Sequence, residues 1–115
     1  MSKRDPKLFI QDMIEAIEKI ERYTSSMETL EDFAKNEMVV DAVLRNLEII
    51  GEAAKYIPKD LRSKYSEIPW KRVVGLRNVV IHSYFAVDPE VIWVIVEKQL
   101  PELKEVLLKM MREQL

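Results

Sequence analysis

The one histidine of this sequence, His82, follows Arg77 and precedes Tyr84 within the run Arg77-Asn78-Val79-Val80-Ile81-His82-Ser83-Tyr84. An imidazole changes charge near neutrality, and a guanidinium stays cationic at every physiological pH. Together they can supply what cleavage of an RNA phosphodiester requires. The imidazole takes a proton from the ribose 2′-hydroxyl or gives one to the leaving oxygen, while the cation stabilises charge building around phosphorus. That chemistry needs no metal. One such pair is a thin site, because attack and departure each call for a proton carrier. Two copies meeting across a two-fold axis would double the set, so the chemistry favours a homodimer.

Helical geometry gives these residues a common focus. At about 100° per residue, Asn78 and His82 fall on one face, and Arg77 and Tyr84 lie almost in register on the adjoining stripe. The four groups can converge on one phosphate, while Val73, Leu76 and Val80 turn toward a core. No acidic residue occurs from Ile68 to Val87, where Lys71 and Arg72 join Arg77 as candidate RNA contacts. The whole chain carries a net charge of −2, so any attraction for phosphate must be local. The plainer interpretation of the same residues is a surface arginine, a histidine satisfied at a bundle edge and a tyrosine anchoring a helix end.

The elements that must position these groups are helices. With 115 residues, 48% of them apolar, the chain suits one domain spanning 1–115 with a single core. It has no cysteine, which removes disulfides, thiolate zinc sites and cysteine nucleophiles and suits a reducing cytoplasm. The amphipathic start and the lack of a long apolar run predict neither secretion nor membrane insertion. Asp5-Pro6 should cap a first helix that carries Ile10, Met13, Ile14, Ile17 and Ile20 to about Tyr23. A short helix through Leu30, Phe33 and Ala34 should follow, then a long one from Val39 to Ile57 that Pro58 ends. One turn around Leu61 precedes a third long helix running from Pro69-Trp70 to about Tyr84. Asp88-Pro89 opens the last helix, which Pro101 should kink or split. The expected fold is all-α, an antiparallel bundle of four or five helices.

The Arg-x4-His spacing resembles the signature of the HEPN superfamily, and its extension through Tyr84 resembles the HepT branch. The first helix and the block Arg45-Asn46-Leu47-Glu48-Ile49-Ile50-Gly51-Glu52-Ala53 look similar to that branch as well. The resemblance implies a homodimeric endoribonuclease toxin that uses no cofactor for cleavage. Its implied partner is a minimal nucleotidyltransferase antitoxin of the MntA type, which uses ATP and Mg. Arg77 and His82 match the catalytic pair, Asn78 a supporting polar position, and Tyr84 the residue that receives AMP. A bulky anionic adduct there would fill the cleft and repel RNA.

Other residues carry weaker expectations. Gly51 and Gly75, the two glycines, sit in predicted helices at a cost of roughly 1 kcal/mol each against Ala, which points to close helix approach. Glu48 and Glu52 are candidate partners for Arg45 or Arg77, and a metal site is not expected without a second histidine or a cysteine. Trp70 and Trp93 should pack in the core. Two rival functions remain open. One is a non-catalytic nucleotide-binding or substrate-presenting subunit of a minimal nucleotidyltransferase; the other is a helical adaptor whose basic segment binds protein.

Overall fold

A computed structural model describes residues 4–78 and 88–114. His82 and Tyr84, with the expected continuation of the third helix toward Tyr84, lie outside the described residues. The fold is an all-helical bundle, and no strand occurs among the described residues.

Helix α1 spans Pro6–Thr24. Asp5 accepts a hydrogen bond from the Lys7 N–H at 2.9 Å, and Pro6 occupies the first turn, where its missing N–H costs nothing. Helix α2, Leu30–Ala34, is held by a reciprocal cap. The Asp32 N–H donates to the Thr29 hydroxyl at 3.1 Å, and the Glu28 N–H donates to the Asp32 carboxylate at 3.2 Å, which holds the Asp32 pKa below its ordinary value. The element exists to place Phe33, fully buried, against the Trp93 ring at 5.2 Å. Helix α3, Glu37–Ala54, is capped by Asn36 and buries Val40, Val43, Leu47, Ile50 and Ala54. It packs along α1 to form the centre of the bundle.

Helix α3 stops short of the expected end at Ile57. A residue before proline is pushed out of helical geometry, and the chain tightens ahead of Pro58 through bonds from the Tyr56 N–H to the Ala53 carbonyl and from the Ile57 N–H to the Ala54 carbonyl, at 3.1 and 3.2 Å. Arg62 then collects the exposed carbonyls. From helix α4, Lys59–Lys64, its guanidinium donates to Ile57 and Ala54 at 2.9 Å and to Lys55 at 3.0 Å. It also lies 5.8 Å from the Trp70 ring centroid. One side chain therefore satisfies the end of α3 and covers the start of the next element.

Helix α5, Trp70–Val74, is shorter than expected, because the chain turns at Gly75 before residues 76–78 resume helical backbone. Trp70 is buried and its indole N–H reaches the Tyr65 carbonyl at 3.1 Å. Asp88 accepts from the Glu90 N–H at 3.0 Å and caps α6, Pro89–Val94, as its sequence foretold. A π-helical turn, Ile95–Gln99, leads into α7, Leu100–Glu113. Pro101 has no N–H to offer a preceding carbonyl; the wider turn delivers it to the first turn of α7, where that lack is harmless. The expected split at Pro101 thus falls just upstream of it. No described helix is long and apolar enough to cross a membrane.

Several polar ties fasten α7. The Tyr65 hydroxyl donates to Glu113 at 2.6 Å, and that carboxylate pushes the phenol pKa up. Lys104 meets Glu21 at 2.8 Å and Glu18 at 3.6 Å on α1, and the Glu21 hydrogen bond raises the Lys104 pKa.

Arg62→Met should lose about 1–3 kcal/mol in urea unfolding, because charged donors to three carbonyls disappear while the apolar stem remains. A raised folded pKa means the stabilisation from Lys104 is complete below the ordinary lysine value of about 10.4 and fades as pH climbs through the higher folded value. The stability gap between wild type and Lys104→Met should accordingly be constant at neutral pH and close in strong alkali, as read by melting temperature.

Candidate functional site

The position of Arg77 is set by a glycine on another helix. A Cβ on Gly51 of α3 would lie 2.7 Å from the Arg77 backbone nitrogen, 3.1 Å from the Val74 carbonyl oxygen and 3.2 Å from the Arg77 Cβ. Such contacts leave room for hydrogen alone, so Gly51 lets the segment through Arg77 lie directly against α3. Gly75 plays a different part. A Cβ there would crowd the Lys71 and Arg72 carbonyls at 3.2 and 3.3 Å, which belong to its own preceding turn. Close helix approach, expected of both glycines, holds at Gly51.

Val73 and Leu76 are buried and anchor this segment, which leaves Arg77 and Asn78 on its exposed side. There the Arg77 Nε meets Glu52 Oε2 at 3.0 Å. The carboxylate oxygen is shielded from solvent and yet has no aligned hydrogen-bond donor. The pair is therefore held by charge more than by direction. Because the contact uses Nε, the edge formed by the two terminal guanidinium nitrogens can still receive a phosphate.

Arg77 and Glu52 line a groove of about 360 Å³ together with Arg4, Phe9, Asp12, Arg45, Glu48 and Tyr56. Arg45 reaches Glu48 at 3.8 Å and Arg4 reaches Asp12 at 2.8 Å. Glu48 and Glu52, expected to partner Arg45 or Arg77 without a particular pairing, divide so that Glu48 meets Arg45 and Glu52 meets Arg77. Lys71 and Arg72 are exposed on α5, but Arg72 faces a separate groove, with Glu67 ahead of α5 and Glu102 and Glu105 on α7, and neither lines the groove of Arg77. The residues that do surround Arg77 come from α1 and α3. Arg45 stood in the block already noted in the sequence, whereas Arg4, Phe9 and Tyr56 gave no local sign, since their meeting depends on how α1 crosses α3. No group of three or more His, Cys, Asp or Glu placed to hold a metal occurs among the described residues.

Comparison with known proteins gives this geometry its context. Residues 13–110 match the family described as "Ribonuclease HepT-like". The chain is 44% identical over 105 residues to "Putative RNase MJ1380" of Methanocaldococcus jannaschii, covering 91% of this chain and 95% of that one. It is also 44% identical over 102 residues to "Probable ribonuclease HepT" of Thermococcus cleftensis, covering 89% and 92%. No solved structure is a significant match.

In Gly51→Ala the added methyl meets backbone that cannot swing aside. The clash, about 1–3 kcal/mol, should outweigh the roughly 1 kcal/mol gained in helix propensity. The variant should melt below wild type and shift the Arg77 amide resonance, whereas Gly75→Ala should perturb that resonance far less.

Proposed function

Because the chain belongs to the HepT-like ribonuclease family, we propose that it is a metal-independent endoribonuclease and the toxin of a toxin–antitoxin pair. The observation that carries this reading is the presentation of Arg77 at an open groove, with its contact to Glu52 made through Nε. In the proposed reaction the ribose 2′-oxygen forms a bond to phosphorus and the bond from phosphorus to the 5′-oxygen breaks. The products are a 2′,3′-cyclic phosphate and a 5′-hydroxyl end. His82 moves the proton, and Arg77 stabilises the pentacoordinate phosphorus through charge-assisted hydrogen bonds. Asn78, exposed beside Arg77, supplies a further polar contact to the same phosphate.

A homodimer would bring two such sets to one cleft and provide both proton carriers. The proposed antitoxin is a minimal nucleotidyltransferase of the MntA type that transfers AMP from ATP, with Mg, to Tyr84. Each added phosphate would place negative charge where the substrate phosphate must sit. The proposed working compartment is the cytoplasm, in keeping with a cysteine-free chain.

The test is cleavage of a mixed RNA pool in excess EDTA, after intact mass has shown that Tyr84 carries no AMP. Wild type should cut. His82→Ala should lose about 10²–10⁴ in rate, and Arg77→Ala about 10²–10³. An unmodified, folded wild type that leaves all RNA intact would remove the proposal.

A further inference from the structure

The groove that contains Arg77 has an aromatic wall that phosphodiester cleavage leaves unused. Tyr56, just beyond α3, keeps 46% of its surface exposed. Its ring lies against Phe9 of α1, with centroids 5.2 Å apart and planes inclined by 20°. Phe9 is itself nearly buried and carries the Arg4 guanidinium 4.7 Å from its centroid. Lys55 Nζ lies over the Tyr56 ring, 5.8 Å from its centroid, on a flexible stem that an incoming base can displace. A rigidly backed and accessible aromatic ring flanked by cations is the arrangement on which nucleobases stack.

The charges of the groove narrow the ligand. Its lining has Arg4, Arg45 and Arg77 against Asp12, Glu48 and Glu52, so it is balanced overall. A balanced lining does not draw in a polyphosphate, but it suits a flat neutral base whose edge both donates and accepts hydrogen bonds. The phosphate of the same nucleotide then needs one local cation, and Arg77 stands at the same groove.

We propose that this groove is a nucleobase subsite for single-stranded RNA. Tyr56 stacks on the base next to the phosphate that Arg77 holds, and Arg45 and Glu48 meet the base edge. The subsite rests on the ribonuclease function proposed above and adds a requirement to it. The nucleotide beside the cut must be unpaired, because a base inside an A-form duplex offers no free face.

The experiment measures binding of a fluorescent single-stranded RNA made uncleavable by 2′-O-methyl groups, and cleavage of its unmodified counterpart in EDTA. The proteins are wild type, Tyr56→Ala, Tyr56→Phe and Tyr56→Trp, each checked for helicity and oligomeric state. Tyr56→Ala should bind about tenfold more weakly, and Tyr56→Phe within about twofold of wild type, since the π face and not the hydroxyl does the stacking. RNA should quench Tyr56→Trp beyond any change in wild type, and duplex RNA should do neither.

If wild type cuts RNA and Tyr56→Ala binds and cuts equally well, the subsite is wrong and the ribonuclease stands. Tyr56-dependent binding without cleavage by wild type would support the subsite and count against the ribonuclease. Wild type that neither binds nor cuts overturns both. A Tyr56→Ala protein with altered oligomeric state and undiminished RNA binding would make this face a protein interface and overturn the proposal.

Discussion

The approach of the Arg77 backbone to Gly51 is the constraint from which the candidate site follows. Two helical segments that touch through backbone atoms are fixed to within a few tenths of an ångström, because there is no flexible side chain between them to absorb a shift. Glu52, the next residue along α3, is thereby carried to the Arg77 side chain, and the rest of the α3 surface, with Arg45, Glu48 and Tyr56, forms the wall beside it. The apolar side of the same segment reinforces the placement, since Val73 and Leu76 are seated in the core. A surface arginine on a long stem would ordinarily sample many positions. Here its Cα is fixed by packing and its stem is drawn to a carboxylate.

That carboxylate holds Arg77 loosely. An ion pair in contact but out of hydrogen-bond alignment gives up directional energy, and surface pairs of this kind contribute little to stability. The loss would suit the exchange of partners proposed for Arg77. An arginine locked in a bidentate embrace would have to break two good bonds to meet a phosphate, whereas one held through Nε can add a second partner on its terminal edge. The glycine therefore provides accuracy of position and the imperfect pair preserves availability. These are separate requirements met by adjacent residues of one helix.

Much of this was legible in the sequence wherever the determining physics is local. The capping pairs Asp5-Pro6 and Asp88-Pro89 begin helices where their chemistry says they should. The apolar spacing of α1 and α3 identifies their buried faces. A glycine inside a strong helical pattern signalled close approach, correctly at Gly51, and the acidic residues around it were read as partners for Arg45 or Arg77, though which pairs with which came only from the fold. What escaped the sequence depended on distant partners. The carbonyls left at the end of α3 are satisfied by Arg62 reaching back from the following helix. The turn at Gly75 divides a segment whose pattern runs on unbroken. The weight placed on Lys71 and Arg72 came from their nearness to Arg77 along the chain, but the fold turns Arg72 toward another groove and surrounds Arg77 with α1 and α3. His82 and Tyr84 lie outside the described residues, so their part in the site rests on sequence and family.

The π-helical turn before α7 also answers a problem of phase. The residues that the last helical run buries are Ile92, Ile95, Leu100, Leu103, Leu107 and Met110. Their steps are three or four residues, as an α-helix requires, except for the five between Ile95 and Leu100. In an unbroken α-helix a five-residue step swings the side chain about 140° off the stripe. A turn that closes over five residues returns Leu100 to the side from which Ile95 departed. The extra residue therefore works as a phase adjustment that allows two apolar stripes, each regular in itself, to act as one continuous surface. The stretch from Pro89 to Glu113 can thus serve as a single wall of the bundle across the junction that Pro101 would otherwise divide.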